Sequence, residues 1–181
     1  MSVLLGAGRI LWRDWLAAAR GAVIRARYAA AGVTVAPGAV IKGGPAVRLS
    51  PGVVVGHDAR LTARAGAIID VGAGTRFNDR CFVTAHERIS IGRHVLFSSN
   101  VFVCDHLHGM DELDTPIMKQ PAGKPAPVEI GDGCWLGINV AIMPGVRIGR
   151  LSVIGANAVV TEDIPEYSVA AGVPARVLRG R

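Results

Sequence analysis

The sequence predicts an all-β solenoid, a stack of parallel coils closed by sharp corners. Three observations carry this expectation. Aliphatic residues recur at every sixth position without a break, from Ile130 through Leu136, Ile142, Ile148 and Ile154 to Val160. Four residues after each stands a second, mostly small lane: Cys134, Val140, Val146, Ser152, Ala158 and Ile164. Half of the 181 residues are hydrophobic yet only 5% are aromatic, so Ala, Val, Ile and Gly must fill the interior. A period of six suits neither the 3.6-residue turn of a helix nor the alternation of a lone strand. It suits a triangular coil of three six-residue sides, roughly 18 residues in all, whose anchors point inward and stack on those of the coils above and below. Successive coils then pair as parallel strands about 4.8 Å apart. The stacked anchors gain ~25 cal/mol for each Å² of apolar area removed from water.

The chain opens with a cap segment, residues 1–32. Within it, residues 10–24 read ILWRDWLAAARGAVI. Leu11, Trp12, Trp15, Leu16 and Ala19 fall at helical spacings, and Arg9, Arg13 and Arg20 break up the rest. The expectation is an amphipathic helix covering the open end of the solenoid. Peripheral contact with a membrane surface is the second reading. The charges make this stretch neither a signal-peptide core nor a membrane span. The solenoid is assigned to residues 33–170. Its upstream runs keep the same grammar with phase slips: Val35, Ile41 and Val47; Leu49, Val55 and Leu61, with Val53, Ala59 and Ala65 in the small lane; Val71, Phe77 and Val83; Ile91, Phe97 and Val103. About six coils result. Residues 104–127, CDHLHGMDELDTPIMKQPAGKPAP, break the period with four prolines and a polar composition. A loop this long inside a compact domain is usually functional or disordered. Residues 171–181 form a C-terminal tail.

A net charge of +6 is spread along the chain rather than gathered in a block. No recognition motif and no basic stripe with interleaved aromatics is present, so nucleic acid is not an expected partner. A phosphate-bearing small molecule is. Cys81, Cys104 and Cys134 are too few and too scattered for a disulfide framework or zinc knuckle. A reducing cytoplasm is the expected setting, at the inner face of the membrane under the second reading of the cap. Cys81 and Cys134 occupy small-lane positions as buried thiols. Four of the five histidines, His86, His94, His106 and His108, lie between Thr84 and Met110. Two of these flank the root of the excursion, beside Asp105.

Four stretches carry a family resemblance: IGDGCWLGINVAIMPGVRIG, SVIGANAVVTEDIP, VAAGVPARVLR and, upstream, FVCDHLHGMD. Together they resemble the hexapeptide-repeat acyltransferases that use acetyl-CoA, and within them the O-acetyltransferases of sugars and polysaccharides. The resemblance implies a left-handed parallel β-helix, an exception to the right-handed crossover rule. It implies a homotrimer with active sites between subunits, acetyl-CoA as co-substrate without a metal, and a sugar or cell-surface glycan as acceptor. It also implies direct transfer with a histidine as general base, a role that suits imidazole because it exchanges its proton near neutral pH. The implied base is His106, with His108 as the alternative, since DHLH aligns in two ways. Asp105 is the candidate orienting carboxylate, with Asp111 and Glu112 as rivals. A backbone N–H of a neighbouring coil is the expected oxyanion donor. Cys104 shows no feature of an activated nucleophile.

For the coenzyme, the resemblance implies Trp135 beside the histidine site and Gly137 and Ile138 at the pantetheine arm. Ala156 and Thr161 follow further along that arm, and Arg176 and Arg179 lie near the phosphates. Glu162 departs from the family pattern, where lysine is usual, and would repel phosphate. Asn78 matches an acceptor-site asparagine, a residue type that also forms ladders at solenoid corners. His86 and Glu87, in VTAHERIS, break the repeat's phase. Two rival readings remain. One is a trimeric zinc β-helix of the γ-carbonic anhydrase type, in which three histidines split between subunits bind the metal, with His86, His106 and His108 as the candidate ligands. The other is a non-enzymatic scaffold. The loop histidines and the tail weigh against both.

Overall fold

The computed structural model describes residues 25–181. The helix expected over 10–24 lies outside the described residues. Residues 25–30 are helical and lead through a turn into the first strand, Thr34–Val35.

From there the chain winds as short strands around three faces. The first face stacks Thr34–Val35, Val54–Val55, Arg76–Phe77, Leu96–Phe97, Trp135–Leu136, Val153–Ile154 and Ser168–Ala171. The second stacks Val40–Lys42, Arg60–Ala63, Phe82–Ala85, Phe102–Cys104, Ala141–Ile142 and Val159–Val160. The third stacks Val47–Leu49, Ile68–Val71, Arg88–Ile91, Val128–Ile130 and Arg147–Ile148. All these pairings are parallel; Arg176–Gly180 then turns back antiparallel on Ser168–Ala171. Seven parallel strands on the first face mean about seven turns, one more than expected. The additional turn hides because Ile154 pairs with Ala170, sixteen residues on, where the aliphatic period has lapsed.

The anchors do what their spacing requires. Ile130, Leu136, Ile142, Ile148, Ile154 and Val160 are all buried, and so is the whole small lane beside them. Each fully buried aliphatic contributes ~1.5–3 kcal/mol relative to exposure. Polar members of the lane bond the next coil. The thiols of Cys81 and Cys134 donate to the carbonyls of Ser98 and Gly149 at 3.1 Å each, and the Ser152 hydroxyl donates to the Pro165 carbonyl. Burial pushes the Cys81 thiol up to about 11, so it stays protonated and a donor.

Upstream, the phase slips become visible as longer strands. Arg60–Ala63 has four residues and turns both Leu61 and Ala63 inward. The small lane is thereby displaced by two residues: Ala67 is buried, and Ala65, expected inside, is exposed. Coil length follows. Val35 pairs with Val55, Val55 with Phe77, Phe77 with Phe97, and Leu136 with Ile154, so the early coils take 20, 22 and 20 residues and the late one 18.

Smallness is required inside the corners but not at every position on them. Asp58, Arg80, His94, Asn100, Asn139, Leu151, Asn157 and Tyr167 all turn corners with positive φ, a conformation costing roughly 1–2 kcal/mol for an L-residue. Side-chain ladders offset this. Arg80 Nε donates to Asn100 Oδ1, Asn100 Nδ2 to Asn139, and Asn139 Nδ2 to Asn157, at 2.9–3.0 Å. The glycine that follows an anchor has a different cause. A Cβ on Gly137 would lie 2.6 Å from the Ala156 nitrogen, because the next coil's backbone passes directly over it.

Candidate active site

The site lies at the corner between the second and third faces, where the excursion leaves the solenoid. Strand Phe102–Cys104 runs in register over Phe82–Thr84. The next residue, Asp105, is fully buried over the corner of the coil beneath. Its Oδ1 accepts from the backbone N–H of His86 at 2.8 Å, and its Oδ2 accepts from Glu87 and Arg88 at 2.7 and 2.8 Å. A buried carboxylate needs such donors. Burial alone raises the Asp105 carboxyl, but the three N–H groups and His106 together outweigh it and hold the group below the usual carboxylate range. Asp105 is therefore an anion and accepts only.

That fixes the neighbouring imidazole. His106 Nδ1 lies 2.9 Å from Asp105 Oδ1, so Nδ1 carries the proton and Nε2 carries a free lone pair. The His106 side chain is 18% exposed, enough to reach a substrate and little enough to be held. Adjacent side chains often point apart; here the chain turns at the corner and they meet. His86 stacks flat on His106, with ring centroids 3.3 Å apart and planes 5° from parallel. Burial first, then the charges of His106, Arg64 and His108, lower the basicity of His86 against the opposing pull of Asp105. Cys104 is buried and its thiol is raised, chiefly by burial, so it is no activated nucleophile.

His108 is exposed one step out along the loop, bridged to Ala122. The excursion is an antiparallel pair of chain segments: Gly109 N–H donates to the Pro121 carbonyl and Gly123 N–H to the Leu107 carbonyl. Its outer part is stapled by Gln120. The Gln120 amide donates to the carbonyls of Glu112 and Thr115 and accepts from the Glu112 N–H. No sequence pattern marks Gln120 for this role. Asp111 and Glu112 are exposed on that segment, and Asp105 holds the orienting position for which they were rivals.

The coenzyme candidates fall in two places. Trp135 is half exposed on the first face and donates its indole N–H to Ser98 Oγ at 3.2 Å. Gly137, Ile138 and Ala156 occupy the next corner, between the first and second faces. Asn78 sits at that corner too, following Phe77, and not beside His106. Within one chain the second face thus separates His106 from these residues. Thr161 follows Val159–Val160 and lies at the His106 corner, exposed. Glu162 pairs with Arg176 at 3.1 Å, which neutralises the carboxylate that would repel phosphate. Arg179 lies exposed on the turned-back strand.

Within one chain, a zinc site built from His86, His106 and His108 together does not match this geometry. Stacked parallel rings send their in-plane lone pairs side by side rather than to one point, and His106 Nδ1 is committed to Asp105. Among the described residues no group of three or more His, Cys, Asp or Glu side chains is placed to hold a metal ion. A groove of about 670 Å³ on the third face, lined among others by Glu129, Arg147, Arg150 and Glu166, lies away from the imidazoles. Four of its charges are paired, Arg147 with Glu129 and Arg150 with Glu166, while Asp132 and Asp163 accept from the backbone N–H groups of Arg93 and Arg147.

Stacked triangular coils on a six-residue period define a hexapeptide-repeat solenoid, and its one long loop carries a carboxylate-held imidazole at its root. The model of the bacterial transferase hexapeptide (six repeats) matches residues 127–162. A putative lipopolysaccharide-biosynthesis O-acetyltransferase of Escherichia coli (strain K12) is 39% identical over 127 residues, 66% of this chain and 64% of its own length. The galactoside O-acetyltransferase of the same organism is 38% identical over 114 residues, 63% of this chain and 55% of its own. Among solved structures, a hexapeptide-repeat acetyltransferase of Vibrio cholerae O1 biovar eltor, complexed with acetyl-CoA, superposes with TM-score 0.57 at 31% identity. That match covers 71% of this chain and 70% of that one. A galactoside acetyltransferase with coenzyme A gives TM-score 0.60 at 32% identity, covering 80% and 65%. The chain belongs to the hexapeptide-repeat acetyltransferase family. It spans less than two thirds of the length of the curated relatives just described.

Proposed function

We propose that the protein transfers an acetyl group from acetyl-CoA to a hydroxyl of a sugar or cell-surface glycan precursor, directly, with His106 as general base. One observation carries the reading: a fully buried, ionised Asp105 holds the His106 tautomer whose Nε2 can take a proton. A hydroxyl is a poor nucleophile until a base draws off its proton, and a positioned base is worth ~10²–10⁴ in rate. Names of relatives support the chemistry, since they include sugar and lipopolysaccharide O-acetyltransferases and complexes with acetyl-CoA or coenzyme A.

The active unit is a homotrimer. Its support is the separation within one chain: His106 stands at one corner of the prism, while Trp135, Gly137, Ile138, Ala156 and Asn78 stand at or before another. A second copy brings the two corners together in one cleft. There Trp135 and the backbone of residues 137–138 flank the pantetheine arm, and Arg176 and Arg179 serve the phosphates. Thr161, on the His106 corner, lies along the same arm. Asn78 contacts the acceptor. His108, further out, is the second candidate base, and it lacks the carboxylate that fixes His106. The setting is the cytoplasm, where acetyl-CoA is made and the three thiols stay free.

The test is an acceptor screen with acetyl-CoA that reads released thiol, run on wild type and His106→Ala. The variant loses ~10²–10⁴ of turnover and keeps its thermal shift with coenzyme A. A fully active His106→Ala rejects the assignment.

A further inference from the structure

His86 has no part in the reaction as written above, yet its ring lies against the base. The register explains how it comes to be there. Phe102, Val103 and Cys104 stand over Phe82, Val83 and Thr84, which puts His106 one coil above His86. Ala63 stands under Ala85, and Arg64 N–H donates to the Ala85 carbonyl, which puts Arg64 one coil below. Arg64, His86 and His106 thus form a column up the corner. The contact between the two imidazoles is face to face, at 3.3 Å and 5°. Asp105 holds the edge of the upper ring and the lower ring holds its face, two constraints at right angles.

We propose that His86 is a positioning residue for the acetyl transfer, pinning the plane of His106 and remaining neutral so that the acceptor's proton goes to His106 alone. This rests on the reading of His106 as base. In the step, the acceptor oxygen bonds to the thioester carbonyl carbon as its proton passes to His106 Nε2. The carbon–sulfur bond breaks, and the departing thiolate takes that proton back from His106. Between the two transfers His106 is an imidazolium lying on an aromatic ring. A neutral ring stabilises a cation over its face; a protonated His86 would repel it. The charged groups that face His86 are arranged accordingly. Arg64 from below, with His106 and His108 from above, opposes its protonation; Asp105 favours it, and burial opposes it further. The flanking residues Glu87 and Arg88 turn their backbone N–H groups to Asp105, and the Arg88 guanidinium is engaged by Asp70 at 2.6 Å.

The test uses the full chain with acetyl-CoA and, as acceptor, the best-turned-over of methyl β-galactoside, maltose and N-acetylglucosamine. His86→Ala lowers kcat by ~10–100-fold, the scale of misplaced catalytic groups, with KM for acetyl-CoA and the melting temperature unchanged. His86→Phe, which restores a flat neutral ring, recovers kcat to within ~3-fold. Arg64→Gln moves the acid limb of the kcat/KM profile to higher pH, because His86 then takes a proton sooner. Wild-type kcat in His86→Ala, beside an inactive His106→Ala, overturns this inference and leaves the base assignment standing. An active His106→Ala, or no turnover of any acceptor by wild type, overturns the base assignment itself. If His86→Ala melts early, His86→Phe decides: a folded Phe variant with kcat as low as the Ala variant overturns positioning by stacking. An unmoved acid limb in Arg64→Gln overturns the requirement for a neutral ring.

Discussion

The coils from Leu136 to Ile154 and those from Val55 to Phe97 build the same prism in two ways. The later coils have two-residue strands and turn in 18 residues. The earlier ones carry four-residue strands on their second and third faces and turn in 22 and 20. The regular run optimises stacking. The irregular one seats the candidate site, since the corner at His86, Glu87 and Arg88 follows a lengthened strand and there aims three N–H groups at one carboxylate. In a repeat protein, departures from the repeat are where a function can be seated without disturbing the rest.

Four substitutions probe this contrast, in falling order of effect. Asp105→Asn in the irregular region keeps the shape but replaces one acceptor oxygen by a donor group. Turnover falls ~10²-fold, in line with other losses of a group that orients a catalytic imidazole. Its acid unfolding also changes. A carboxyl held below its unfolded value adds stability at pH above the ordinary carboxylate range, lost as pH falls through the folded value. Wild type therefore loses stability across that window, and the Asn variant loses less; urea titration at several pH values measures the difference. In the regular run, Leu136→Ala costs ~2–5 kcal/mol by cavity formation and leaves the His106 corner intact. Gly137→Ala forces a Cβ against the Ala156 nitrogen and costs ~1–3 kcal/mol by the same measurement. A smaller penalty would mean that the coils can separate locally. Ile41→Ala, half-buried in an early coil, costs about 1 kcal/mol.

This contrast also marks what the sequence made legible. From Ile130 to Val160 one residue in six reports its own burial, because nothing there competes with the anchor spacing. The loop root was legible as well, since two histidines and an aspartate stand together in the chain. Ala65 was misplaced because a strand longer by two residues shifts its lane, a decision taken by pairing with the next coil and invisible along one. For the same reason the contact of His86 with His106 could not be read: it depends on a coil of 20 residues where the idealised one has 18. A phase break at His86 was the available signal. The ladder of Asn100, Asn139 and Asn157 is spaced by whole coils and by the excursion, so it too appears only once the chain is wound.

The turned-back strand Arg176–Gly180 bears on what this molecule does not become. A stack of parallel rungs ends in a row of unpaired amides and carbonyls, a template on which identical units can polymerise. On the first face that row meets a segment running the other way, with Arg176 and Arg179 on it and every residue exposed. Another copy could add on this face only by abandoning the parallel direction and bringing its own cations alongside, so a reversal of five residues discourages parallel addition there.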